Sequence, residues 1–123
     1  MQPLSDEGSI NFLDNAKSAI KYSDGIPTQV VRDPNFRMNL ITASGVNPGQ
    51  SAHAHHIFHL EYVAQFQRAG INPNSYGSWW GAGHLKNAYN YNKAWGSFFS
   101  ANPEAPASKI FEEAYKLKIL FGY

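Results

Sequence analysis

Tyr91, Trp95 and Phe99 recur four residues apart, with Phe98 beside them, and that spacing lines large rings along one side of an α-helix. A stripe of this bulk has to be buried against an equally apolar surface. A further apolar stripe, that of a last helix, follows in Ile110, Phe111, Ala114, Leu117 and Leu120, which again recur at three and four. Asn102-Pro103 and Pro106 lie between the two stripes, where a continuous helix cannot run. The reading is two successive helices, the first from about His84 to Phe99 and the second capped by Ser108. Trp79, Trp80, Tyr89, Tyr91, Trp95, Phe98 and Phe99 accordingly read as core rather than as a base-stacking platform.

Upstream of these helices the pattern is mixed. Asp33-Pro34 offers an N-cap and a first-position proline for a helix through Phe36, Met38, Leu40 and Ile41, which Gly45 and Asn47-Pro48-Gly49 end. Residues 50–58 have strand or loop character. Phe58, Tyr62, Phe66 and Ala69 then describe an amphipathic helix with Gly70 as its stop. Pro73, Asn74 and Gly77 mark a loop, Trp79-Trp80 a short strand, and Gly81-Ala82-Gly83 a bend. Asp24-Gly25 and Ile26-Pro27 form a turn signal after a helix expected around Phe12 to Tyr22, and Gln29-Val30-Val31 looks extended. We divide the chain into a lead-in, residues 1–31, and a compact domain, residues 32–123. The 123 residues, 43% hydrophobic and 15% charged, suit one domain with its own core. The fold class is α+β, a small and mostly helical domain.

Ten Lys and Arg against nine Asp and Glu give a net charge of +1, so any phosphate binding has to be local rather than a property of the whole surface. Cysteine is absent, which excludes disulfides, thiolate zinc sites and a cysteine nucleophile together. A metal would have to be held by nitrogen and oxygen. No apolar run of about eighteen residues and no basic-then-apolar amino terminus appears, so neither a membrane segment nor a signal peptide is expected.

Four of the five histidines, His53, His55, His56 and His59, fall within seven positions. Adjacent residues of a strand point to opposite sides, so His55 and His56 are suited to two neighbouring tasks rather than one shared geometry. Hydrolysis of a phosphodiester has two such tasks: a base with a pKa near neutrality, and a cation to stabilise the charge that builds on phosphate and leaving oxygen. His84 with Asn87, three residues on at a helix start, would add two potential ligands on one helical face. His53 and His59 read as ordinary hydrogen-bonded packing residues.

From Arg37 to Phe99, about half the chain, the sequence resembles the AHH branch of the HNH/endonuclease VII superfamily, ββα-metal nucleases found at the ends of polymorphic bacterial toxins. The segments that carry the resemblance are Arg37-Met38-Asn39-Leu40, Ala54-His55-His56-Ile57, the helix end Phe66-Gln67-Arg68-Ala69-Gly70-Ile71-Asn72, His84 through Asn87, Tyr91-Asn92 and Trp95. The resemblance implies a ββα-metal (HNH-type) motif at the centre of the domain, with His56 as general base and His55 and His84 as metal ligands. One pattern in the superfamily has a second helical histidine four residues after the first, where this chain has Ala88. Asn87, beside it, becomes the further ligand. An oxygen-containing shell favours Mg2+ or Mn2+, with Zn2+ as the alternative.

The implied function is that of a metal-dependent endonuclease, with DNA the favoured substrate and Arg37, Arg68, Lys86 and Lys93 as phosphate contacts. The resemblance further implies secretion as the carboxy-terminal part of a larger toxin, action in the target-cell cytoplasm, and a cognate immunity protein. Two alternatives compete with it: a ribonuclease toxin on the same fold, and a non-catalytic module that uses its histidines only to fold around a metal.

Overall fold

A computed structural model describes residues 32–81 and 86–123, together with the backbone of 11–12, 22–23 and 26–27. The carboxy-terminal hairpin is formed by α3, Ala88–Ala101, and α4, Ala107–Phe121. Tyr91, Trp95, Phe98 and Phe99 are buried from α3, and Ile110, Ala114 and Leu117 from α4. The first arm starts later than expected, at Ala88, because Lys86 and Asn87 form a tighter turn before it. Pro106, extended at ψ 164°, stands directly before α4, and its carbonyl accepts from Lys109 and Ile110. Ser108 is therefore an exposed residue of the first turn and not the cap. Leu120 also departs from expectation. Phe121 takes the inward place, against Trp80 and Tyr91, and leaves Leu120 74% exposed. Gly122 at φ 76° then turns the chain back and buries Tyr123. Tyr89 is likewise exposed rather than core.

Nearer the amino terminus, α1 spans Phe36–Ser44. Asp33 acts one turn ahead of it: its carboxylate accepts from the Asn35 amide at 2.8 Å and its carbonyl from Phe36 at 2.9 Å. Gly45, at φ 73°, ends the helix as expected. The strand β4, Ala52–His56, pairs antiparallel with β5, Tyr76–Gly81, from Ala52 opposite Gly81 to His56 opposite Gly77. β5 is thus longer than the Trp79-Trp80 strand expected, and Gly77 belongs to it rather than to a loop. The physical reason is the space above Gly77: a Cβ there would lie 2.8 Å from the Phe36 ring, so only glycine lets the strand continue beneath α1.

Between the strands, Leu60–Tyr62 form one tight helical turn before α2, Val63–Arg68. Phe58 and His59 stay outside the helix because Phe58 drops into the core and the His59 ring accepts from the Glu61 amide at 3.1 Å, capping the turn. Gly70 closes α2 at φ 84°.

Three two-residue strands lie in the segment read as the lead-in. β1, Asn11–Phe12, pairs with β5 at the sheet edge, and β2, Tyr22–Ser23, pairs with β3, Ile26–Pro27. Both ends of the helix expected from Phe12 to Tyr22 are therefore strand; its middle and the expected extended stretch Gln29–Val31 lie outside the described residues. The order through the centre of the molecule is β4, β5, α3, two antiparallel strands and then a helix, in a small mixed α+β domain. Among the described residues no helix is long and apolar enough to cross a membrane.

Candidate active site

β4 separates two hydrophobic clusters, and the alternation of a strand assigns one histidine to each. The larger cluster, built on Trp80, Tyr91, Trp95, Ile110 and Tyr123, lies on the His55 side; Phe36, Leu40 and Ala54 form the smaller one on the His56 side. The strand end is fixed from α3. The carbonyl of Ile57 accepts from the Tyr91 hydroxyl at 2.6 Å and from the Trp95 indole at 3.0 Å, so the histidine pair is held to the helix by the residue that follows it.

His56 is buried and stacks on Phe36, with ring centroids 3.6 Å apart and planes 10° from parallel. Its two nitrogens have different partners. Nδ1 faces the Arg32 guanidinium at 3.1 Å, and Nε2 faces Asn74 Oδ1 at 2.8 Å. A guanidinium only donates, so Nδ1 must accept and the proton sits on Nε2, donated to Asn74. The Asp33 amide donates to the same Oδ1 at 3.1 Å, which fixes the orientation of the Asn74 amide. Asn74 is in turn held by its own backbone N–H, which donates to Asn72 Oδ1 at 2.9 Å. Burial lowers the His56 pKa to about 4; the Asn74 hydrogen bond opposes this, while the Arg32 charge adds to it. The ring is neutral at pH 7, with a single basic lone pair, on Nδ1.

His55 sits among the rings of Trp80, Tyr91 and Tyr123, their centroids 4.6 to 4.7 Å from its own. Its Nε2 is buried and, among the described residues, has no hydrogen-bond partner. An unmet polar atom of this kind costs about 1–3 kcal/mol unless a ligand completes it. Burial first, and then the neighbouring His56 and His59, push the His55 pKa down to about 3, so this ring too is neutral. The box is rigid: the Tyr91 proton goes to Ile57, so Tyr123 Oη donates to Tyr91 Oη at 2.9 Å, with the Ala114 carbonyl 3.1 Å from the same hydroxyl.

A cavity of about 580 Å³ opens between these groups, with His53, His55, His56, His59, Arg32 and Arg37 in its wall. The sequence-predicted residues divide around it. His55 and His56 line it. Arg37 does as well, but its guanidinium is engaged by the carbonyls of Ala52 and Gly49 and lies 4.9 Å from the Trp79 ring centroid. Asn87 is half-buried directly before α3, where its side chain makes no capping hydrogen bond. His84 lies outside the described residues. Lys86 is exposed. Arg68 lies away from the cavity and donates to the Pro103 carbonyl, tying α2 to the turn before α4. Lys93 belongs to a larger groove, about 820 Å³, beside Tyr62, Gly96 and Ser100, which contains no histidine. The histidine cavity is the smaller of the two but the one with chemistry in its wall.

Arg32 and Asn74 were missed by sequence reasoning, as were the cavity positions of His53 and His59. Arg32 stood at a domain boundary, and Asn74 looked like a turn residue beside Pro73. Only the pairing of β4 with β5 brings Asn74 under His56. No family model, curated protein or solved structure matches the chain.

Proposed function

We propose that this chain is a nuclease domain of the HNH type that hydrolyses phosphodiester bonds with His56 as general base. The observation that carries the reading is the His56 ring itself. Asn74 fixes the proton on Nε2, and the remaining lone pair on Nδ1 is held at a cavity that also contains a guanidinium. A neutral imidazole with one oriented lone pair can take a proton from water, although with its pKa lowered to about 4 by burial it is a weaker base than the near-neutral one expected from the sequence. In the reaction Nδ1 takes a proton from the attacking water, the new bond forms at phosphorus, and the bond to the departing oxygen breaks. That oxygen leaves with a proton from solvent.

A divalent cation is implied by the family resemblance, and one feature of the chain fits it: the buried Nε2 of His55 has no partner among the described residues. His55, with His84 and Asn87, would hold the ion, Mg2+ or Mn2+ in preference to Zn2+. Among the described residues alone, no three histidine or carboxylate side chains form a ligand cluster. When bound, the ion supplies charge stabilisation for the phosphate and the departing oxygen. Trp80, Tyr91 and Tyr123 keep the His55 ring neutral and immobile. By the same resemblance, DNA is the favoured substrate, and the domain is the secreted carboxy-terminal part of a toxin acting in the target-cell cytoplasm and restrained in its producer by an immunity protein.

The test is direct: purified protein with plasmid, single-stranded DNA and RNA, with magnesium, manganese, zinc or chelator. Metal-dependent DNA cleavage that His56→Ala abolishes is the expected result. Cleavage of RNA alone, insensitive to chelator, would move the reading to a ribonuclease. No cleavage of any substrate, with chelator lowering the thermal midpoint, would leave a metal-folded binding module.

A further inference from the structure

We infer that Arg32 is a substrate-binding residue that covers the lone pair of His56 at rest and transfers to the phosphodiester when it binds, so that substrate itself uncovers the base. The inference rests on the nuclease reading above and identifies the group that takes the phosphate at that site. Three observations support it. First, Arg32 donates to Nδ1 of His56 at 3.1 Å, the one nitrogen of the ring able to accept a proton, since Nε2 already carries one for Asn74. A base in this state is blocked. Second, Arg32 is exposed and lines the cavity, and among the described residues its one other interaction is with the Phe36 ring, whose centroid lies 5.3 Å away. It forms no ion pair with a carboxylate among the described residues. Third, Arg37, the other guanidinium in the cavity wall, is already committed to backbone carbonyls.

A guanidinium has five donors in a planar fork that matches two oxygens of a phosphate, so a diester offers Arg32 two parallel bonds to anionic oxygens where the imidazole offers one bond to a neutral lone pair. A monoanionic phosphodiester entering the cavity therefore outcompetes the imidazole for Arg32. The exchange places the phosphate beside the base and opens Nδ1 to water in one movement. In the absence of a diester the lone pair stays closed.

The test has two arms. In the first, ¹⁵N NMR follows His56 Nδ1 in the full chain as diethyl phosphate, a monoanionic diester, is added. The resonance should move toward that of an unbonded lone-pair nitrogen. In Arg32→Ala it should start there and ignore the diester. Arg32→Gln keeps an uncharged donor, so Nδ1 should stay covered and the diester should not displace it. In the second arm, Arg32→Ala should lower kcat/KM for nucleic-acid cleavage tenfold or more, and Arg32→Lys should recover part of the loss as a point charge. Lys116→Ala, an exposed cation on α4, controls for net charge. A wild-type resonance that does not respond to the diester, or an Arg32→Ala variant that cleaves like the parent, overturns the inference. If no nucleic acid is cleaved at all, the nuclease reading fails, and the first arm still decides whether a phosphodiester draws Arg32 from His56.

Discussion

Replacing Asn74 by alanine removes the acceptor that sets the His56 tautomer, and its cost follows from counting donors. Oδ1 receives the His56 Nε2–H and the Asp33 amide, so Asn74→Ala leaves two donors without their partner. A buried unsatisfied donor costs about 1–3 kcal/mol. The His56 proton is deeply placed and takes the upper part of that range, whereas the Asp33 amide stands in a half-buried turn and takes the lower. The expected loss of stability is about 2–4 kcal/mol, read as a fall in the urea midpoint at unchanged m. Catalysis should suffer separately. A hydrogen bond worth about 1–1.5 kcal/mol no longer favours the productive tautomer, which corresponds to a loss of about tenfold in kcat/KM at pH 7. Asn74→Asp discriminates between the two effects because it keeps an acceptor for both donors. It should retain activity within tenfold of the parent while raising the His56 pKa through its added charge. An Asn74→Ala protein within about 0.5 kcal/mol of the parent and equally active would refute the tautomer argument.

His56→Ala should lower cleavage by about a hundredfold or more, the usual worth of a general base, and should also cost about 2 kcal/mol because the ring it removes is stacked on Phe36. Gly77→Ala drives a Cβ to within 2.8 Å of the Phe36 ring and should destabilise by about 1–3 kcal/mol, with the largest chemical-shift changes at His56, seen by NMR. Stability should fall as pH is lowered. His55 and His56 have folded pKa values near 3 and 4 against 6.5 in the unfolded chain, so their contribution is complete above about pH 6.5 and is lost below it, each histidine contributing a slope of up to about 1.4 kcal/mol per pH unit. Urea titrations at pH 7, 6 and 5 measure it. Manganese calorimetry should show weaker binding for His55→Ala and His84→Ala, and a smaller loss for Asn87→Ala.

The carboxy-terminal half of the fold was legible because its signals are local. Four-residue recurrence of Tyr91, Trp95 and Phe99, and the prolines that separate the hairpin arms, depend on nothing beyond neighbouring residues. The strand region was harder. Gly77 looked like a loop residue by composition, and its place in β5 follows from the Phe36 ring above it, a contact across 41 positions of sequence. The histidine pair could be singled out from spacing and the alternation of a strand, but not its surroundings. That Asn74 accepts from one nitrogen of His56 and Arg32 covers the other is a matter of tertiary placement. The cationic candidates divide for a related reason: composition cannot tell Arg68, which ties α2 to the turn before α4, from Arg37 and Arg32, which line the cavity.

The division of His55 and His56 between opposite faces of β4 also bears on how such a site evolves. Each ring has its own stacking and hydrogen-bonding neighbours, Phe36, Arg32 and Asn74 for one and Trp80, Tyr91 and Tyr123 for the other, and among the described residues none of these is common to both. Substitutions around the aromatic box can therefore change how the His55 nitrogen is presented without altering the hydrogen bonds of His56, and the reverse holds for changes near Phe36. Selection can explore the two halves separately. A one-residue shift in the pairing of β4 is the change it cannot accept, since that would exchange the two rings and place each in surroundings built for the other.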